Sequence, residues 1–142
     1  MNKTEARRIG ATCLALHVRR AARQLGRHYD DALRPVGLSN GQFSLLTMLA
    51  AKDGWQMQAL ADFLGLDQSS LTAALKPLLR RGLASVATGA KDRRTRHLKL
   101  TEPGRAALAE AEPLWRAAQA RAEALLGQRS ADEIRRDLRA LS

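Results

Sequence analysis

Between Glu5 and Leu33 the chain carries no proline, and Leu14, Val18, Ala22, Leu25, Tyr29 and Leu33 recur every three or four residues. That period puts them on one face, so the spacing predicts a single long helix from Glu5 to about Leu33. Ile9, Cys13 and Leu16 add a second apolar stripe beside the first. A helix apolar on two sides needs two packing partners, more than a small domain usually gives its first helix.

Pro35 and Gly37 interrupt the pattern. Ser39 and Gln42 then have the spacing of a capping box, opening a helix to about Ala51 with Phe43, Leu46 and Leu49 or Ala50 inward. "KDGWQ" reads as a turn, and a short helix from Met57 to Leu64 is closed by Gly65. A further helix starts with Asp67 as N-cap, buries Leu71, Leu75, Leu78 and Leu79, and stops at Gly82. Pro77 deletes the bond to the Ala73 carbonyl, but the leucine spacing continues through it, which predicts a kink and not a stop.

The period then changes to two. Ala84, Val86 and Thr88 alternate, as do Leu98 and Leu100, predicting two short antiparallel strands around a loop from Gly89 to Arg94. Thr101 can cap the next helix, with Pro103 tolerated in its first turn. In that helix Leu108, Ala111, Trp115, Ala118, Ala122 and Leu125 form a narrow seam like that of a coiled coil. Gly127 ends it, and Ser130 with Glu133 forms a capping box for a last helix whose Ile134, Leu138 and Leu141 face one way.

Composition agrees with the helical period. The 142 residues have the length of one domain and are 45% hydrophobic but only 4% aromatic, with alanine and leucine abundant, so the expected class is mostly α with a small two- or three-stranded antiparallel sheet. The net charge of +10 is unevenly placed. Residues 1–34 hold eight bases and three acids, 35–75 one and three, 76–105 nine and two, and 106–142 six and six. The densest part is "KDRRTRHLKLT", residues 91–101, where like charges repel unless a polyanion relieves them. Nucleic acid is the first candidate and an anionic membrane surface the second, against simple solubility charge.

Other classes find little support. One cysteine, Cys13, allows no intramolecular disulfide, so the expected location is cytoplasmic. The apolar run from Ile9 to Leu16 is too short to span a bilayer and is followed at once by His17, Arg19, Arg20 and Arg23, so neither targeting nor a membrane partner is expected. His17, His28 and His97 lack metal-ligand spacing, and neither a phosphate loop nor a nucleophile elbow is present. No catalytic residue, metal or cofactor is expected.

The informative unit is helix, turn, helix, then two strands around a basic loop. Gln68, Ser69, Ser70 and Thr72 lie early in the second helix, opposite its leucines, where a recognition helix meets the major groove. Gln pairs with adenine, hydroxyls meet base edges or phosphates, and Lys76, Arg80 or Arg81 can neutralise flanking phosphates. A solvated polar face would also read this way. The basic loop favours DNA, because arginines on a projecting hairpin suit the negative potential of the minor groove.

Taken together, "ALADFLGLDQSSLTAALKPLLRRGLASVATGAKDRRTRHLKLTEPG" resembles the MarR family of winged helix-turn-helix transcriptional regulators. Asp92-x-Arg94 and Leu100-Thr101-x-x-Gly104 are similar to its wing signature, and the likeness extends over nearly the whole chain. It implies a winged helix-turn-helix over 37–103 and helical dimerisation regions over 1–36 and 104–142. It further implies a homodimer that binds double-stranded DNA at a pseudo-palindromic operator, as a repressor. By the same resemblance Arg94 enters the minor groove, Asp92 holds it through an ion pair, and Lys91, Arg93 and Arg96 add phosphate contacts.

Two ways of releasing DNA stay open. One is a small aromatic or phenolic effector in a crevice with Leu25, Tyr29, Phe43 and Trp115 as lining. The other is a thiol-based peroxide sensor at Cys13, with His17 and Tyr29 as partners of the thiol; a cysteine on an apolar stripe is also ordinary packing. A non-specific architectural DNA binder and a winged helix that contacts only protein are the rivals to operator recognition.

Overall fold

The computed structural model describes residues 1–89, 91–92 and 94–141. The elements are α1 (Lys3–Thr12), α2 (Leu14–Leu33), a 3-10 turn (Arg34–Val36), α3 (Asn40–Ala51), β1 (Trp55–Gln56), α4 (Met57–Leu64), α5 (Gln68–Arg80), β2 (Ala84–Thr88), β3 (Arg96–Leu100), α6 (Glu102–Ala124) and α7 (Ala131–Arg139). The class is mostly α with a three-stranded antiparallel sheet ordered β1-β3-β2. Val86 and Trp55 both stand opposite Leu98, and Ala84 stands opposite Leu100. The stretch read as a turn does turn, at Gly54 with φ 70°, and then adds Trp55 and Gln56 to the free edge of β3. A two-residue strand is too short to show an alternating pattern.

The core joins α3, α4, α5 and β3. Leu46, Leu49, Leu60, Leu71, Leu75, Leu78 and Leu98 are fully buried, and Leu33 of α2 and Ala111 of α6 close the sides. Asp67 caps α5 as its spacing requires, accepting the Ser70 N–H at 2.8 Å, and the helix continues through Pro77 to Arg80. Gly82, at φ 68°, then turns the chain into β2. Burial falls along β2 from Ala84 to exposed Val86 and Thr88, so the hairpin leaves the body as it extends.

The expected single first helix is interrupted. Cys13 is extended (φ −67°, ψ 105°) and serves as both C-cap of α1 and N-cap of α2. Thr12 Oγ1 donates to the Arg8 carbonyl, a local bond that competes with helix propagation, and Gly10 lowers the propensity of the same turn. Apolar periodicity cannot register such a break. The α1 segment has its own capping box, Asn2 with Glu5, and buries none of its residues. Ile9, Leu14, Leu16 and Leu25 are exposed there, as are Leu138 and Leu141 at the other end of the chain. Leu125, expected on the α6 seam, lies just past the helix and is 83% exposed.

One junction fixes the wing to α6. Thr101 Oγ1 donates to the Gly82 carbonyl (2.6 Å) and accepts the Gly104 N–H (3.1 Å), while Thr101 N–H donates to the Leu83 carbonyl (3.3 Å). Gly104 is buried against Leu83 and Leu100, where a Cβ would collide with the Leu83 carbonyl oxygen and come within 2.6 Å of Leu100 Cδ1. The Leu-Thr-x-x-Gly spacing is thus one packed corner: a core residue, a cap, and a residue without a side chain.

Candidate nucleic-acid interface

The first turns of α5 present Gln68, Ser69, Ser70 and Thr72 to solvent, and Lys76 follows one turn later, also exposed. The hydroxyls are held in place. Ser69 Oγ donates to Asp67 Oδ1 (2.6 Å), Ser70 Oγ to Asp67 Oδ2 (2.7 Å), and Thr72 Oγ1 to the Gln68 carbonyl (2.8 Å). The Ser69 hydroxyl, then the hydroxyl and N–H of Ser70, hold the Asp67 carboxyl well below the usual carboxylate range, because hydrogen bonds to the ionised form favour it.

The wing is ordered from within. Asp92 Oδ1 accepts the Arg94 backbone N–H (2.9 Å), and the Asp92 carbonyl accepts both the Thr95 N–H (3.1 Å) and the Thr95 hydroxyl (2.7 Å). Gly89 N–H donates to the Thr95 carbonyl (2.8 Å), closing the loop. Among the described residues the expected Asp92–Arg94 ion pair is not formed: the carboxylate accepts the Arg94 backbone N–H instead. The Arg94 side chain is left exposed at the tip, with Lys91 and Arg96 exposed beside it. Arg93 lies outside the described residues.

These two surfaces meet. Gln68 of α5, Arg94, Thr95 and Arg96 of the wing, and Gln56, Met57 and Gln58 at the start of α4 line one groove of about 370 Å³. Gln56, Gln58 and Thr95 escape a reading of the sequence; the signal was the polar pair flanking Met57 at a helix start, where free backbone N–H groups attract phosphate. Arg81, read as one of three residues that can neutralise phosphates, donates to the Gly37 carbonyl (2.8 Å).

The four residues expected to line one crevice fall into two recesses. Phe43 and Trp115 are stacked with centroids 6.0 Å apart and line a recess of about 270 Å³ between α3 and α6, with Thr47, Ala50, Leu108 and Glu112. Leu25 and Tyr29 line another, of about 250 Å³, between α2, α6 and α7. Tyr29 donates to Gln119 Oε1 there, and burial, then the nearby Glu123 carboxylate, push its phenol above the ordinary value. Cys13 is half-buried. His17 Nδ1–H donates to the Cys13 carbonyl (2.9 Å), so neither His17 nor Tyr29 hydrogen-bonds the thiol. No helix among the described residues is long and apolar enough to cross a membrane.

A capped recognition helix beside a basic two-stranded wing defines the winged helix-turn-helix class of DNA-binding proteins. The comparisons with known proteins narrow it. The MarR family model matches residues 38–95. The transcriptional regulator MosR of M. tuberculosis, solved in complex with DNA, is 44% identical with a TM-score of 0.82 over 91% of this chain and 92% of that one. The transcriptional repressor CouR, bound to a 23-mer DNA duplex, is 32% identical with a TM-score of 0.82 over 90% of this chain and 91% of that one. A putative transcriptional regulatory protein for the hcr operon of Thauera aromatica is 31% identical over 100 residues, 70% of this chain and 60% of that protein's length. The chain belongs to the MarR family of DNA-binding transcriptional regulators.

Proposed function

We propose that this regulator binds a pseudo-palindromic operator as a homodimer, represses transcription there, and is released by a small aromatic or phenolic ligand. The observation that carries the DNA reading is the groove shared by Gln68 of α5 and Arg94 and Arg96 of the wing. It lets one body address a base edge in the major groove and the adjacent minor groove or phosphates together. Residues 37–103 form the DNA-binding part, with Gln68, Ser69, Ser70, Thr72 and Lys76 in the major groove and Lys91, Arg93, Arg94 and Arg96 on the wing.

Residues 1–36 and 104–142 supply the dimer. The support is the unburied α1 and the exposed apolar residues of α2 and α7, surface that a two-fold partner covers. Such symmetry sets recognition helices roughly 34 Å apart, one turn of DNA. Binding to the protein's own promoter region, compared with random duplex at physiological salt, tests this. A preference of about a thousandfold is expected. Equal affinities refute operator recognition and identify an architectural binder.

For the ligand, the stacked Phe43 and Trp115 offer flat apolar walls that suit an aromatic ring. CouR has also been solved bound to p-coumaroyl-CoA, at 29% identity to this chain, which favours an effector with a phenolic acyl end. A second reading has its own observation: Cys13 sits at the break between α1 and α2, where a chemical change acts on a hinge. A hydroperoxide would oxidise the thiol to a sulfenic acid and leave as the alcohol. Peroxide-driven loss of DNA from the native protein but not from Cys13→Ser supports this second reading; equal behaviour excludes it.

A further inference from the structure

The most basic surface outside the wing lies on α2. Arg20, Arg23 and Arg27 recur at three- and four-residue spacing, so they stack along one helix face, and with Gln24 they line a shallow recess of about 260 Å³. All three are exposed, and among the described residues none has a carboxylate within ion-pair distance. The only acids in α2 are Asp30 and Asp31 in its last turn. Asp30 is engaged with the Asn40 N–H (2.7 Å), and Asp31 is paired with Arg34. Like charges at this spacing oppose helix formation, so the stripe costs stability unless an anion bridges it.

The length of the stripe and the packing of its helix point to a class of anion. The helix packs on α3 and α6, the two elements that line the Phe43–Trp115 recess, and not principally on α5 or the wing. Arg27 is one turn from Asp30, whose bond to Asn40 ties this face of α2 to the start of α3. From Arg20 to Arg27 is seven residues, about 10 Å along the axis. That length suits a diphosphate and a separate phosphate monoester on one small molecule, and guanidinium groups match phosphate oxygens in paired hydrogen bonds.

We propose that Arg20, Arg23 and Arg27 form a phosphate subsite for a nucleotide-bearing effector, the diphosphate and 3′-phosphate of a coenzyme A thioester. The proposal rests on the reading that a ligand of this class releases DNA, and deepens it by assigning the ligand's charged end.

The test titrates the full-length protein with coenzyme A by calorimetry in the absence of DNA, with dephospho-coenzyme A and inorganic phosphate as further arms. Coenzyme A should bind the native protein more tightly than dephospho-coenzyme A, and both more tightly than phosphate. The triple variant Arg20→Ala, Arg23→Ala, Arg27→Ala should lose at least about tenfold in affinity. The triple lysine variant guards against misfolding and should keep part of the affinity. Operator affinity should stay within about twofold in the lysine variant, which keeps the net charge. Absence of coenzyme A binding to the native protein, or equal binding by the alanine variant, overturns the proposal. So does a parallel loss of DNA affinity in the charge-matched lysine variant, which would make the stripe a DNA contact. If coenzyme A binds through the arginines but its thioesters leave the DNA complex intact, the subsite stands and the ligand-release reading fails.

Discussion

Replacing Gly104 with alanine sets two physical effects against each other. Gly104 lies in the first turn of α6. Helix propensity alone makes Gly→Ala stabilising by about 1 kcal/mol. Packing says the reverse, because the new Cβ would overlap the Leu83 carbonyl oxygen and come within 2.6 Å of Leu100 Cδ1 and 3.1 Å of Leu83 C. Carbon atoms rest at about 3.5–4.0 Å, so α6 must withdraw by on the order of 1 Å from a backbone that cannot rotate away. That withdrawal strains three hydrogen bonds around Thr101. Overpacking costs about 1–3 kcal/mol and the three weakened hydrogen bonds about 1 kcal/mol each; less the propensity gain of about 1 kcal/mol, the net expectation is a loss of about 3–5 kcal/mol. Urea unfolding followed by far-UV circular dichroism, at one protein concentration because subunit association adds to stability, measures it. Gly26→Ala is the control: nothing lies within 4 Å of its Cβ position, and a gain of up to about 1 kcal/mol is expected. A Gly104→Ala protein as stable as the native one would refute the claim that the wing and α6 share a rigid corner.

Arg94→Ala should weaken operator binding by about tenfold to a hundredfold and flatten the dependence of log K on log salt by about two units, one for each subunit of the dimer, leaving the unfolding midpoint unchanged; fluorescence anisotropy across a salt series checks this. Gln68→Ala should cost about 1–3 kcal/mol on the operator and little on random duplex, so competition between the two separates base reading from phosphate contact. Tyr29 is the only tyrosine, so absorbance at 295 nm follows its phenol alone. Its value is raised by burial, then by Glu123, so the native state holds the proton more tightly than the unfolded chain. The resulting stability is present below pH 10 and should be lost as pH rises from there through the native value. A phenol titrating at or below pH 10 in the folded protein would contradict the packing of α2 on α6.

Much of this fold could be read from the chain because the devices that start and stop its helices are local. Ser39 with Gln42, Asp67, Thr101, and Ser130 with Glu133 all cap as their spacing demands, and Gly65, Gly82 and Gly127 take the left-handed conformation where helices end. The hairpin follows from a change of period. What escaped either leaves no mark on the apolar period or depends on contacts between distant parts. The break at Cys13 leaves the apolar spacing intact. The β1 strand exists only because β3 is beside it. The division of Leu25 and Tyr29 from Phe43 and Trp115 is set by how α6 crosses α2 and α3. Around the interface, residue types pointed to DNA, but the engagement of Asp92 with backbone rather than guanidinium depends on the conformation of the loop, which residue type does not fix.

The bonds made by Asp67 have a consequence for which bases α5 can prefer. Its two carboxylate oxygens take the protons of Ser69 and Ser70, and the Gln68 carbonyl takes that of Thr72. The hydroxyls therefore turn lone pairs, not hydrogens, toward the groove. A surface of that polarity matches the amino hydrogens of adenine and cytosine and is mismatched to thymine O4, guanine O6 and phosphate oxygens. One carboxylate at the N-cap thus sets the sign of the hydroxyl edge that Ser69 and Ser70 can read with.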